Sequence, residues 1–137
     1  VAKVSMANPA QVVKAMLEAD AYDGPSIIIA YSHCIAHGIN MTSAVDNCKK
    51  AVNSGYWPLY RFDPRKAAEG KNPLQLDSKA PSISFDDFAS SENRFRMLKK
   101  ANPEQAEELM EASAKDFAAR FDLYQKLADL SADCGSK

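Results

Sequence analysis

A thiol and two imidazoles lie close together directly after an apolar stretch of this sequence. The segment SIIIAYSHCIAHGINM, residues 26–41, contains Cys34 and the chain's two histidines, His33 and His37. Thiolates and imidazoles are the protein ligands of zinc, and thiolates bind iron–sulfur clusters. A cysteine beside a histidine is also a common nucleophile–base pair. These residues are therefore the first candidates for chemistry.

From the residues alone, Cys34 has three possible functions and one purely structural alternative. Cys34 and His37 have the spacing of half a zinc site, but no second pair of such ligands follows nearby. His33 or His37 could activate Cys34 as a nucleophile, although no orienting third group is evident. Cys34 could also be one ligand of an iron–sulfur cluster whose other ligands lie in a distant segment. On chemistry alone, a buried packing role for Cys34 is favoured over all three.

The elements that position this segment follow the rhythm of an α/β fold. Alternating apolar residues predict a first strand, Asn8-Pro9 predicts a capped helix start, and three consecutive isoleucines predict a central strand of a parallel sheet. The predicted elements are a strand at residues 2–6, a helix at 9–18, a strand at 26–31, a helix at 43–53 ending at Gly55, and an aromatic strand at 56–62. Cys48 is expected on the buried face of the second helix, with Val45 and Val52.

The second half of the sequence is expected to be mainly helical. We divide the chain into a β-α-β-α-β unit at 1–63, an extended connection at 64–85, C-terminal helices at 86–130 and a frayed tail at 131–137. Asn102-Pro103 repeats the helix start of Asn8-Pro9 and opens the longest predicted helix. The apolar stripe of that helix is predicted to comprise Leu109, Met110, Ala114, Phe117, Phe121, Tyr124 and Leu127.

Composition excludes several classes of partner and location. The chain has 137 residues, is 46% hydrophobic and carries a net charge of −1, so it has no bulk attraction for nucleic acid or anionic lipid. No apolar run approaches the roughly 20 residues of a membrane span, and the first residues do not resemble a signal peptide. Cys34, Cys48 and Cys134 are odd in number and widely spaced, which favours a reducing cytoplasm. Because the sequence opens on Val1, we expect a piece of a longer protein.

Two long blocks of the sequence resemble a known enzyme family. AYDGPSIIIAYSHCIAHGINM and AVNSGYWPLYRFDPR resemble the C-terminal part of the pyruvate:ferredoxin (flavodoxin) oxidoreductases, and the resemblance runs from Val1 to about Leu130. It implies the C-terminal part of a parallel-sheet thiamine-diphosphate-binding fold, followed by an α-helical tail. It also implies a complete enzyme that oxidises pyruvate with coenzyme A to acetyl-CoA and CO2. Electrons would pass through 4Fe–4S clusters to ferredoxin or flavodoxin.

The same resemblance assigns a role to the cysteine segment. It implies that Cys34 is the last ligand of the 4Fe–4S cluster nearest the thiamine, with His33 and His37 as supporting or packing residues. Gly38 would let the backbone turn closely around the cluster. The other cluster cysteines and the motif that holds magnesium and thiamine diphosphate would lie upstream, so this chain holds no catalytic or thiamine-binding residue.

The implied partners are the carrier protein and the rest of the polypeptide. The complete enzyme is expected to be a cytoplasmic homo-oligomer, and the 137-residue chain is expected to be inactive alone. The alternative is a non-catalytic α/β fragment that acts as an assembly or interaction module.

Overall fold

The computed structural model describes residues 1–130. The predicted frayed tail and Cys134 lie outside the described residues. The described elements, in chain order, are β1 (Ala2–Ser5), α1 (Pro9–Asp20), β2 (Ile28–Tyr31), α2 (Ala44–Asn53), β3 (Tyr60–Phe62), α3 (Arg65–Ala68), β4 (Leu74–Leu76), α4 (Phe85–Ala89), α5 (Asn93–Ala101) and α6 (Pro103–Asp129). The fold class is α/β with a C-terminal helical tail, as expected.

The sheet is mixed rather than parallel throughout. Its strand order is β2-β1-β3-β4; β1 and β2 are parallel, whereas β3 is antiparallel to both β1 and β4. The indole of Trp57, just before β3, donates a hydrogen bond to the carbonyl of Val4 near the end of β1 (2.9 Å). The chain therefore enters β3 where β1 ends and runs back beside it. The predicted parallel pairing is correct for β1 and β2 and wrong for β3.

Within the described residues, β2 lies at an edge of the sheet, so the prediction of a central strand is wrong for this chain. Ile27 and Ile29 are 59% and 45% exposed, whereas Ile28 packs under α1 against Ala2 and Val4. An apolar strand with a free edge is unusual, because edge strands normally carry charges, prolines or a covering element. Three consecutive isoleucines predict burial on both faces, whereas in the described residues Ile29 is exposed and Ile28 is only partly buried.

Two cores lie on opposite faces of the sheet. Because side chains alternate along a strand, Ala2 and Val4 point toward α1, where they meet Ala15. The other face is covered by α2, α4 and α6 and is rich in aromatic rings. This larger core contains Tyr31, Cys48, Ala51, Phe85, Phe88, Ala89 and Met110, with Tyr56, Trp57, Phe95 and Phe117 packed against it.

The helical half differs from its prediction in three places. The segment at 64–85 contains α3 and β4, so it is more than an extended connection. The helix predicted after Asp86 is divided into α4 and α5, since Glu92 between them has extended backbone angles (φ −110°, ψ 129°). Along α6 the stripe is shifted: Leu109 and Leu127 are exposed, and so is Ala114. The observed stripe comprises Ala106, Met110, Phe117, Phe121 and Tyr124. None of the helices within residues 1–130 combines the length and apolar composition needed to cross a bilayer.

Lys3 lies on the aromatic face of the sheet, and its charge is costly there. Lys3 is 9% exposed, and its Nζ lies 3.9 Å from the centre of the Trp57 ring. Burial, together with nearby Arg120, lowers the pKa of Lys3 from 10.5 to about 8. Between these values the unfolded chain keeps a proton that the folded protein has lost, so stability rises with pH in that window.

We therefore expect a pH-dependent difference between the wild-type chain and Lys3→Met. The free energy of unfolding of the wild type should rise relative to Lys3→Met by about 1–3 kcal/mol as the pH increases through this window. Urea titrations at about pH 7.5 and about pH 9.5 measure the difference at two points in the relevant range. Subtracting the two proteins removes the titration of tyrosines and thiols that both share. A constant difference between the two proteins would contradict a lowered Lys3 pKa.

Candidate functional site

The cysteine segment forms a tight loop between β2 and α2. Cys34 caps a short 3-10 turn, Ile35–His37, and the N–H of Ala36 donates to the Cys34 sulfur at 3.4 Å. Gly38 closes the turn in the left-handed conformation (φ 68°). The Cys34 side chain is exposed. The loop therefore presents a thiol to the surface, at the carboxyl end of a parallel strand where functional groups of α/β proteins collect.

Cys48 behaves in the opposite way. Cys48 is fully buried on α2, beside Ala44 and Ala51, and its sulfur lies 3.7 Å from Nδ1 of His33. Burial raises the pKa of the Cys48 thiol, which keeps it neutral and unreactive. The predicted core role of Cys48 is confirmed, although Val45 from the same predicted face is exposed. A buried packing role is wrong for Cys34.

The histidines do not form a site with Cys34. His33 contacts Cys48, and Nδ1 of His37 lies 3.9 Å from Oε1 of Glu92. Within residues 1–130, no group of three or more His, Cys, Asp or Glu side chains could hold a metal ion. The zinc half-site formed by Cys34 and His37 is therefore not completed by the described residues. No histidine nitrogen in the described part of the chain is positioned to activate the Cys34 thiol.

Glu92 is the important residue of this region that the sequence did not reveal. Its carboxylate is completely buried and accepts hydrogen bonds from Tyr31 Oη (3.2 Å) and Asn47 Nδ2 (2.9 Å). Arg94 also pairs with it. These partners come from β2, α2 and α5, the elements that surround the loop. Nothing in the sequence near SSENRF signals that this glutamate is buried.

The loop also packs against the start of α5. A Cβ atom placed on Gly38 would lie 2.2 Å from Cβ of Asn93, so any side chain there would force the loop away from α5. Gly38 is required both for its positive φ and for this close approach. The neighbour that Gly38 approaches is Asn93 of α5, and a close turn of the backbone around a cluster stays a prediction.

Two clefts lie away from the loop. A polar cleft of about 160 Å³ between α1 and β3 is lined by Glu18, Arg61 and Arg65, among others. Arg61 is already paired there with Glu18 and Asp77. An apolar groove of about 530 Å³ lies between β4 and the end of α6. Neither cleft brings new chemistry to Cys34.

Known proteins similar to this chain carry closely related names. No protein-family model matches the chain. The chain is 54% identical over 130 residues to "Pyruvate:ferredoxin oxidoreductase" of Moorella thermoacetica, covering 94% of this chain and 11% of that protein. It is 53% identical over 129 residues to "Pyruvate-flavodoxin oxidoreductase" of Trichormus variabilis, covering 93% of the chain and 11% of that protein. The resemblance to the pyruvate:ferredoxin (flavodoxin) oxidoreductases is confirmed.

The similarity extends to a longer protein with a different name. "Pyruvate dehydrogenase [NADP(+)], mitochondrial" of Euglena gracilis is 47% identical over 131 residues, which are 94% of this chain and 7% of that protein. The chain thus spans about one tenth of the length of the curated pyruvate:ferredoxin (flavodoxin) oxidoreductases it matches. Cys34 and its loop lie within the long block that first indicated this resemblance.

Proposed function

We propose that this chain is the closing part of the thiamine-diphosphate domain of a pyruvate:ferredoxin (flavodoxin) oxidoreductase, with Cys34 as one ligand of a 4Fe–4S cluster. The observation that carries the proposal is the exposed Cys34 thiol at the end of β2. An N–H donor on that sulfur, from Ala36, is the kind of hydrogen bond that tunes a thiolate ligand. The named relatives supply the reaction class.

Among residues 1–130, the donor set fits one cluster ligand. Cys34 offers an accessible soft sulfur, whereas Cys48 is buried against His33 and points into the core. We therefore assign the remaining cluster ligands to other parts of the polypeptide. We likewise assign the binding of magnesium and thiamine diphosphate to other segments, and no residue of this chain to it.

The complete enzyme would convert pyruvate and coenzyme A to acetyl-CoA, carbon dioxide and a proton, and release a pair of electrons. When bound, thiamine diphosphate with magnesium supplies the decarboxylation chemistry, and iron–sulfur clusters carry electrons one at a time. Ferredoxin or flavodoxin, which the names of the relatives include, would take those electrons. This chain contributes the position of the Cys34 thiol at the carboxyl edge of the sheet. The free thiols of Cys34 and Cys48 favour a cytoplasmic location.

The free edge of β2 supports a larger parent protein. Ala2 N–H donates to the carbonyl of Ile27 (2.9 Å), and the register pairs Ala2 with Ile28. In a parallel ladder, alternate residues bond to the same neighbour, so the N–H and C=O groups of Ile28 and Ala30 point away from β1. We propose that a strand from the rest of the polypeptide pairs with this edge and covers Ile27 and Ile29.

The same free edge would also serve the alternative function, an interaction module without catalysis. The two functions differ in what the full-length protein contains and does. The purified full-length protein should contain iron and acid-labile sulfide. It should also reduce ferredoxin or flavodoxin only when pyruvate and coenzyme A are both present. A full-length protein without iron and without this activity would favour the interaction module.

The isolated chain should bind no thiamine diphosphate. Because the chain lacks the expected acidic magnesium motif, calorimetric titration with magnesium and thiamine diphosphate should show no saturable heat. The full-length protein, titrated in the same buffer, is the positive control. Saturable binding by the 137-residue chain would place the cofactor site within it and contradict the proposed division of the enzyme.

A further inference from the structure

Glu92 is a buried charge held between three elements of the fold. Its side chain is 0% exposed and lies between α4 and the first turn of α5. A buried carboxylate is costly unless it is paired and hydrogen-bonded. Glu92 meets this requirement, since Tyr31, Asn47 and Arg94 all donate to it.

The donors of Glu92 are fixed in position. Burial, with the Glu92 carboxylate beside it, raises the pKa of the Tyr31 phenol well above its usual value, so Tyr31 remains a donor. The Oδ1 atom of Asn47 accepts a hydrogen bond from Ser91 Oγ (2.9 Å), which directs the amide nitrogen of Asn47 toward Glu92. The Glu92 carboxylate is therefore held in a fixed position behind the cysteine loop.

The loop approaches this point through His37. Nδ1 of His37 is buried, has no hydrogen-bond partner among the described residues, and lies 3.9 Å from Oε1 of Glu92. A shift of about 1 Å would bring the two atoms to hydrogen-bond distance. On the same side, Gly38 packs directly on Asn93. The 3-10 turn that begins after Cys34 is thus held at its other end, at His37 and Gly38.

We infer that Glu92 is a positioning residue for the cysteine loop: through His37 it fixes the 3-10 turn Ile35–His37 and, with it, the direction of the Cys34 thiol. The backbone hydrogen bonds of the turn connect the two ends. The N–H of His37 donates to the carbonyl of Cys34 (3.0 Å), and the N–H of Ala36 donates to its sulfur. A movement of His37 therefore displaces the carbonyl oxygen and the sulfur of Cys34.

This inference rests on the proposed function, since the thiol has a task only if Cys34 is a ligand. The test uses the full-length protein and the substitutions Glu92→Gln and His37→Ala. Glu92→Gln keeps the size of the side chain but removes the charge that faces His37 and Arg94. His37→Ala removes the same contact from the loop side and does not disturb the buried network, so it serves if Glu92→Gln fails to fold.

Tyr31→Phe is the matched control. It removes one hydrogen bond to the same carboxylate oxygen and leaves the His37 contact intact. The first readout is hydrogen exchange of the loop, residues 33–38, measured by mass spectrometry. The second is the paramagnetic resonance spectrum of the reduced protein.

We expect both loop-contact variants to speed exchange of residues 33–38 by about 10-fold and to shift the spectrum, with much smaller changes in Tyr31→Phe because Asn47 and Arg94 still hold the carboxylate. The inference is overturned if loop exchange matches the wild type, or if Tyr31→Phe accelerates it equally. It is also overturned if the loop loosens but the spectrum stays constant, while Cys34→Ser abolishes a cluster. If Cys34→Ser itself changes no cluster, the proposed function fails, and the exchange measurement still decides whether Glu92 holds the loop.

Discussion

In the full-length protein, Cys34→Ser should lose or destabilise one iron–sulfur cluster, while Cys48→Ser should leave the iron content unchanged. The two cysteines lie in the same small region but differ in exposure: Cys34 is exposed and Cys48 is fully buried. Serine is a poor replacement for a soft thiolate ligand of iron. Iron should therefore be lost when the exposed Cys34 is replaced and retained when the buried Cys48 is replaced.

Cys34→Ser should impair the electron-transfer step of the reaction more than the decarboxylation step. Decarboxylation depends on thiamine diphosphate, which we assign to other segments, so release of carbon dioxide in a single turnover should partly survive. Reduction of ferredoxin or flavodoxin should fall steeply, since the electrons lose a cluster on their path. Iron per subunit, the low-temperature paramagnetic resonance spectrum and carrier reduction should be measured together.

Cys48→Ser is the matched control for Cys34→Ser, because the chemical change is identical. Serine at this site buries a hydroxyl among Ala44, Ala51 and aromatic neighbours, which should cost about 1–3 kcal/mol of stability. Its spectrum and carrier reduction should remain those of the wild type. Full iron, an unchanged spectrum and normal carrier reduction in Cys34→Ser would show that Cys34 is not a ligand.

The local features of the fold were predictable because their causes are local. Asn8 caps α1 by accepting from the N–H of Gln11 (3.1 Å), and Asn102 caps α6 by accepting from the N–H of Gln105 (3.3 Å). Both caps lie three residues from their partners and precede a proline, so the Asn-Pro pairs reveal them directly. Gly55 likewise has the positive φ of 75° expected after a helix end.

The features that were missed depend on residues distant in sequence. The direction of β3 follows from the Trp57–Val4 hydrogen bond, which spans 53 positions. The burial of Glu92 depends on Tyr31 and Asn47, which are 61 and 45 positions away. A charged residue is normally assigned to the surface, and no neighbouring residue argues otherwise. Local sequence patterns do not pair groups that lie so far apart along the chain.

The role of Cys34 as a cluster ligand stays a prediction, whereas its exposure differs from the buried packing role that its chemistry alone favours. Residue types and position after a strand select Cys34, whereas the tendency of a free cysteine to pack as a small apolar side chain favours burial. The structure places the isoleucines at a free edge and directs the thiol outward. The predicted stripe of α6 is correct at Met110, Phe117, Phe121 and Tyr124 and wrong at Leu109, Ala114 and Leu127. Ala106 is fully buried, and the larger Leu109 is 45% exposed. The size of a side chain therefore does not decide which positions at the edge of the stripe are buried.

Phe88 should be the most costly single truncation in the larger core. Its ring is 0% exposed and lies among the rings of Tyr56 (4.8 Å between centroids), Phe85 (6.2 Å) and Phe95 (6.2 Å). These rings belong to α4, α5 and the segment before β3, and Phe88 contacts all three of them. Replacing it by alanine leaves a cavity that such a rigid cluster cannot close easily.

We expect Phe88→Ala to lower the free energy of unfolding by about 3–5 kcal/mol, with Phe62→Ala as its control. Phe62 loses the same atoms but is 42% exposed on β3, so its loss should be about 1 kcal/mol or less. Urea titrations followed by far-ultraviolet circular dichroism measure both variants against the wild type. Since Tyr56 and Phe85 also pack on Phe117 of α6, Phe88→Ala should loosen α6 as well, seen as faster hydrogen exchange there. Equal losses in the two variants would mean that the aromatic cluster is not the core that holds the helices to the sheet.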